Sequence, residues 1–152
     1  MEQSTLETLL DWVRGCPALT GCTWSVDELA PDGGAAGAYP QGVRVLARRT
    51  DLLGTVTDRC RLTLVLRLTL PFVPGDAALA ARNAGRLLDF QRWAAQESAA
   101  HRAPTLGNAD AADEVITAAA GCCEQLHDEG TARYRVTLTA EYTMKWRDTD
   151  EN

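Results

Sequence analysis

Cys122, Cys123 and His127 are the residues of this chain whose types and spacing come closest to covalent chemistry. A thiol four residues from an imidazole is the minimum of a nucleophile–base pair, and it works only where a third group orients the base. An enzyme built on them would need a pocket lined by Cys123, His127 or Tyr142. Residues this close along one hairpin strand rarely meet with a third orienting group. The same cysteines make a poor metal site: the sequence has no C-x-x-C, and adjacent residues of a strand point to opposite faces. We read them as small buried hydrophobes. Cys16 and Cys22 could bridge sterically, but a reducing compartment disfavours the bond, and five scattered cysteines do not form a secreted disulfide framework. His101 falls in a loop. The carboxylates are dispersed, and Asp110, Asp113 and Glu114 read as a solvated entry to a strand. The chain contains no G-x-G-x-x-G, P-loop, H-E-x-x-H or G-x-S-x-G motif. No catalytic, cofactor or metal residue is assigned.

The remaining concentration of chemistry is basic. Arg59, Arg61, Arg67, Arg133, Arg135, Lys145 and Arg147 are seven of only 15 lysines and arginines, and they recur at alternate positions with threonines between them. A nucleic-acid surface would place aromatic residues among them, and the chain as a whole carries a charge of −6 with a pI near 4.9. A solvated or subunit-facing sheet surface fits better, because arginine and threonine suit cross-strand pairing and arginine suits interfaces.

The elements that must position these residues follow from periodicity. In RCRLTLVLRLTL, residues 59–70, every second residue is apolar: Cys60, Leu62, Leu64, Leu66, Leu68, Leu70. From Tyr134 the same alternation runs through Val136, Leu138, Ala140, Tyr142 and Met144 to Trp146. A period of two over a dozen residues predicts two long strands, each with one buried face. Shorter strands are predicted at 22–29, with Trp24 and Val26 inward, and at 43–49, with Val43, Val45 and Ala47 on one side. Gly54 turns the chain between 43–49 and the central strand. The segment 113–126 is ambiguous. Its alanines favour helix, while Val115, Ile116, Thr117 and the cysteine pair favour strand. We assign strand, with a hairpin turn at 127–130, because a partner would protect the edge of so long a terminal strand.

The cover for the apolar face comes from two helices. Ser4–Glu7 has capping-box spacing, Leu6, Leu9, Leu10 and Val13 form one stripe, Gly15 suits a left-handed exit and Pro17 ends the helix. Asp76 caps a second helix reaching Glu97 or Ala100. Its apolar side is predicted through Ala80, Ala84, Leu87, Leu88, Ala94 and Ala95, with Phe90 and Trp93 flanking, opposite Arg82, Arg86, Asp89 and Gln96. Gly85 within it predicts close helix–sheet contact. The small-residue segment 30–42 predicts a mobile loop without regular structure, and the polar tail from Arg147 a frayed end.

The resulting expectation is a single α+β domain, 1–152. A four- to five-stranded, mostly antiparallel sheet has one face covered by a long helix and a short N-terminal helix. No apolar run approaches a membrane span and no basic-then-apolar leader opens the sequence, so folding in a cytosol is expected.

Three stretches carry a resemblance to a known family. They are the opening TLETLLDWVRGCPALTGCTWSVDEL, the helix end LLDFQRWAAQE followed by a proline-bearing loop, and the closing GTARYRVTLTAEYTMKW. Together they resemble the small "minor capsid" or tail-terminator-like proteins encoded in the tail-assembly regions of siphophages and prophages. The glycine-rich segment 30–42 and the cysteine content depart from the family's pattern. The resemblance implies a sheet flanked by helices and a working form that is a ring of six, as in lambda-type tail terminators. It also implies a role in capping the tail tube and forming part of the head–tail joining surface. The partners would be further copies of the chain, the tail tube protein and a head-completion or connector protein. DNA would pass through the ring without sequence-specific recognition. The protein would reside in the virion tail or neck, and in the host cytoplasm during assembly. The family has no catalytic residues to carry over. The subunit contacts expected are Arg59, Arg61, Arg67, Arg133 and Arg135 of one copy against acidic loops of the next. Asp27, Glu28, Asp32, Asp110, Asp113 and Glu114 supply those loops.

If the five cysteines serve only as small side chains, replacing all of them by serine or alanine leaves fold and assembly intact, with some loss of stability for a serine at a buried position such as Cys60. Metal analysis of the purified protein checks this, and stoichiometric zinc would refute it.

Overall fold

A computed structural model describes residues 4–127 and 129–147. Asp128 of the predicted hairpin turn and the tail beyond Arg147 lie outside the described residues. The elements run α1 (Thr5–Arg14), a 3-10 turn (Pro17–Leu19), β1 (Thr23–Val26), β2 (Ala35–Thr50), β3 (Thr55–Pro71), α2 (Ala77–Ala99), a second 3-10 turn (Ala111–Asp113), β4 (Val115–Leu126) and β5 (Thr131–Arg147). The strands make one five-stranded sheet in the order β1-β2-β3-β5-β4. β1 runs parallel to β2, and the other neighbours are antiparallel. The fold is α+β, with the ambiguous segment 113–126 resolved as strand β4.

The core follows from the two alternating strands. Leu64, Leu66 and Leu68 of β3 stand opposite Leu138, Val136 and Tyr134 of β5. All six are buried in one cluster with Leu9, Leu10 and Val13 of α1 and Leu87 and Phe90 of α2. Each leucine removed from water in this way contributes about 1.5–3 kcal/mol. The helices start where their capping residues place them. The Ser4 hydroxyl accepts from Glu7 N at 3.1 Å while the Glu7 carboxylate accepts from Ser4 N at 3.1 Å. Asp76 accepts from Leu79 N at 3.0 Å. Gly15, expected to be left-handed, has φ −76°; its N–H bonds to the Trp12 and Val13 carbonyls, and Pro17 follows.

Several expectations are corrected. The segment 30–42 is not an irregular loop, since β2 begins at Ala35, and Ala35, Ala36 and Ala38 are buried between β1 and β3. Its small residues serve close approach: a Cβ on Gly37 would collide with the Glu28 carbonyl. On α2 the buried stripe is Asn83, Leu87, Phe90 and Ala94. Ala84, Leu88 and Ala95 are exposed, Phe90 is central and not flanking, and Arg86 turns inward to donate to Ala18 O at 3.0 Å. In so alanine-rich a helix, apolarity marks the buried face poorly. Asn83 belongs there because its Nδ2 satisfies Pro71 O at the end of β3, 2.8 Å away. The close helix–strand approach lies at Gly121 of β4, where an added Cβ would come within 2.5 Å of Gln91 Oε1. At Gly85 it would meet nothing within 4 Å. Val26 is exposed and not inward. Val43 and Val45 stand opposite the buried Leu62 and Cys60 but are exposed, because β2 continues past the helices. Cys122 and Cys123 are exposed and not buried. They lie on an outer strand, just past a bulge in which Ala120 has φ +59°.

Leu87→Ala should cost about 2–5 kcal/mol of stability in denaturant unfolding. Arg82→Ala, on the exposed side of α2, should stay within about 0.5 kcal/mol. Equal small effects would place the helix elsewhere.

Candidate interaction surface

Both helices cover the same face of the sheet, so the opposite face of β3 and β5 presents the arginines. Antiparallel register sets Arg67 directly opposite Arg135, a like-charge pairing that repels. A second bulge in β4, between Cys123 and Gln125, places Glu124 where it meets this pair. Its carboxylate lies 3.2 Å from Arg67, 2.8 Å from Arg133 and 3.8 Å from Arg135. Burial pushes the Glu124 carboxyl up, but the hydrogen bond and charge of Arg67 and the charge of Arg133 outweigh it and hold the group below its ordinary range. The Arg67 guanidinium also lies over the Tyr39 ring, 4.7 Å from its centroid. Further along, Arg61 pairs with Glu141 at 3.7 Å, and Arg59 donates to Thr143 Oγ1 (3.2 Å) and Asp113 O (2.8 Å).

These bonds hold the expected contact arginines to groups of their own chain. Arg59, Arg61, Arg67, Arg133 and Arg135 do share one face, but each is already engaged within the chain. Asp110 caps the second 3-10 turn through Ala112 N at 2.9 Å, and Glu114 accepts from Leu106 N and Gly107 N at 2.7 and 3.2 Å. Asp113 meets Arg59 through its carbonyl. Among the described residues the charged side chains without a partner include Arg44 and Arg49 on β2, Arg82 and Arg92 on α2, and the carboxylates of Asp27, Glu28, Asp32, Asp89 and Asp113.

Arg44 and Arg49 stand on an arm. β2 from Val43, β3 up to Arg61 and the end of β5 continue beyond the helices as a three-stranded ribbon, and every β2 residue from Gln41 to Thr50 is exposed. Arg44, Arg48, Arg49, Arg59 and Arg61 face only Asp51 and Asp58 on the β2–β3 hairpin, within a chain of charge −6. The charge is therefore segregated: the arm is basic and the remainder acidic.

The arm is stiffened by a buried carboxylate. Asp58 is 5% exposed and takes a two-pronged bond from Arg48, at 2.7 and 3.0 Å, plus one from Trp146 Nε1 at 3.0 Å. The Arg48 guanidinium lies over the Trp146 ring at 5.5 Å. One residue from each of β2, β3 and β5 is thereby joined. The hydrogen bonds of Arg48 and Trp146 hold the Asp58 carboxyl below its usual range. At the tip, the Asp51 carboxylate accepts from Leu53 N and Thr55 N, each at 2.9 Å, and Arg147 donates to Leu53 O at 3.2 Å. This fixed turn presents Leu52 and Leu53 at 105% and 75% exposure. On the other side, Asn108 bonds Lys145 N at 2.6 Å and Lys145 O at 2.8 Å, closing the edge of β5 where β4 has ended.

Cys123, His127 and Tyr142 do not form a pocket. Cys123 stands opposite Tyr134, and Tyr142 lies eight residues further along the same strand, roughly 27 Å away. Burial raises the Tyr142 phenol above its ordinary range, which keeps it protonated. Among the described residues no group of three or more His, Cys, Asp or Glu side chains could hold a metal ion, and no helix is long and apolar enough to cross a membrane. No protein-family model matches the chain, and no curated protein is significantly similar to it.

Glu124, Asp58, Arg48 and the tip leucines were not among the residues singled out by the sequence, and Trp146 was read only as the end of an apolar alternation. Glu124 was hidden by the bulge. The tip was legible as Leu-Leu-Gly after Asp51, two large apolar residues at a turn that otherwise favours polar ones.

The depressed carboxyls set a pH dependence. Their bonds stabilise the fold above the unfolded carboxylate value of about 4, and that contribution is lost as pH falls through the lower folded value. Thermal unfolding from pH 6 to pH 2 should show stability declining below about pH 4, with Asp58→Asn flattening the decline. An unchanged slope in Asp58→Asn would show that Asp58 carries no such linkage.

Proposed function

We propose that the chain is a structural subunit of a phage or prophage tail, a tail terminator. It caps the tail tube and forms part of the head–tail joining surface by closing into a ring, six-fold if the family resemblance holds. Its chemistry is surface complementarity and not catalysis. The observation that supports this reading best is the projecting basic arm, whose unpartnered Arg44 and Arg49 match the unpartnered carboxylates elsewhere on the same chain. Arg44 and Arg49 of one copy set against Asp27, Glu28, Asp32 or Asp89 of the next make a heterologous contact, and repetition of such a contact closes a ring. The partners are copies of the chain, the tail tube protein and a head-completion protein.

The residues best suited to test the reading are Arg44 and Arg49, because reversing Arg61 or Arg135 would also disturb their pairs with Glu141 and Glu124. Arg44→Glu with Arg49→Glu should abolish the ring while leaving the monomer's unfolding transition in place. Light scattering and electron microscopy across concentration measure this. A wild-type chain that remains monomeric and does not bind purified tail tubes sinks the reading.

A further inference from the structure

We infer that the arm tip, Leu52 and Leu53, seats in a groove on the helical side of a second copy. This inference rests on the self-assembly just proposed and names its contact. The groove is lined by Cys16, Pro17, Ala18, Asp89 and Trp93 and has a volume of about 330 Å³. Its floor is apolar and rigid. Trp93 stacks on Trp12 with ring centroids 4.6 Å apart and on Phe90 at 6.1 Å, and the 3-10 turn that forms the other wall is tied to α2 by the Arg86 bond to Ala18 O.

Three observations assign a second copy as the occupant. The first is shape and polarity. Two adjacent leucines held largely in water by a hydrogen-bonded turn are costly to leave exposed, and the groove offers an aromatic-walled recess for them. The second is charge. Arg49, two residues before the turn, and Asp89, on the rim of the groove, both lack partners among the described residues. Docking the tip brings an unpaired guanidinium to an unpaired carboxylate, an arrangement that fixes orientation and register. The third is distance. Gln91 of α2 bonds Gly121 N, and the neighbouring Cys122 stands level with Arg135 and Arg67 across the sheet. The groove therefore lies about level with Arg67, and the run of strand from Arg67 to Leu53 separates it from its own tip by roughly 45 Å. No chain can fill its own groove. Each copy offers a tip at one end and a groove at the other, which is the head-to-tail pattern that rings require.

The test uses the full chain in a Cys16→Ala, Cys22→Ser, Cys122→Ser, Cys123→Ser background, which removes the groove's own thiol. One population carries Leu52→Cys, the other Ala18→Cys, and the two are mixed under mild oxidation. A disulfide-linked dimer should form in the mixture and in neither population alone. Separately, Leu52→Ser with Leu53→Ser should raise the concentration of half-assembly by about a hundredfold, the scale set by leaving two leucines undocked. Circular dichroism and melting should not change, because the two side chains are exposed and the bonds that hold the turn are made to its backbone. Wild-type assembly without the mixed disulfide, or with an unaffected serine variant, overturns the docking and leaves the ring reading standing. A Leu52→Cys chain that cross-links to the tail tube protein and not to Ala18→Cys assigns the tip to the tube and overturns it equally. A wild-type chain monomeric at every concentration overturns the docking, and one that in addition fails to bind purified tail tubes overturns both.

Discussion

The pairing of β3 with β5 is the constraint from which the rest of the structure follows. It runs without a break from Thr55 opposite Arg147 to Pro71 opposite Thr131. At 17 residues the paired strands span roughly 56 Å, while the 23-residue helix laid on them spans roughly 35 Å. The helix begins after Pro71, so the shortfall of about 20 Å falls entirely at the Thr55 end. The apolar alternation of both strands weakens toward that end. There Asp58, 5% exposed, takes the bonds of Arg48 and Trp146, and these join the three strands alongside the burial of Val56. The arm is thus a consequence of unequal element lengths, held by these bonds and that burial together.

The same pairing sets the electrostatics of the uncovered face. Period-two strands in register bring arginine opposite arginine, as at Arg67 and Arg135, and the neighbouring β2 repeats the problem with Arg44 opposite Arg61. Two solutions appear. In the core region a bulge in β4 delivers Glu124 among three arginines, and a cation–π contact with Tyr39 takes up part of the remaining charge. On the arm, Glu141 takes Arg61 only, and Arg44 stays free. On this face the uncompensated charge therefore lies toward the arm, where backbone is also least covered. Free arginines along the open β2 edge discourage indiscriminate strand addition, and they retain the capacity to pair with carboxylates presented in one geometry.

What the sequence made legible divides along the same line. The leucine columns of β3 and β5 are long enough that only a strand accommodates them, and the α1 capping box is a local signal that tertiary packing did not override. The small-residue run at 35–38 was opaque because glycine and alanine signal flexibility in isolation, and close packing only when two further layers are known to lie above and below. The α2 stripe was misplaced because alanine is compatible with either face, while an asparagine in the buried row is explained only by the carbonyl it meets. Bulges cannot be read from alternation, since they reverse it, and the position of Glu124 was hidden for that reason. The basic face was found, but which of its arginines were free was not. That depends on register across three strands and on Glu124 and Glu141, whose partners no spacing rule identifies.

A rigid extension with an apolar tip is informative because it works against the monomer. Ordering a hairpin outside the core costs conformational entropy that buried apolar surface does not return, and the Asp51 turn and the Arg48–Asp58–Trp146 bonds hold it in one geometry nonetheless. A flexible arm could search for many partners. A stiff one commits in advance to a single approach angle, so less freedom is lost on association and the partner must present its recess at a fixed position. Identical copies related by a repeated rotation meet that requirement, because the distance from tip to groove is then the same at every contact. In the proposed docking, stiffness in the arm and stacking in the Trp12–Trp93–Phe90 wall are two halves of one geometric condition. A ring closes only when every contact holds the same angle, so looseness in either half would let the contact repeat without closing.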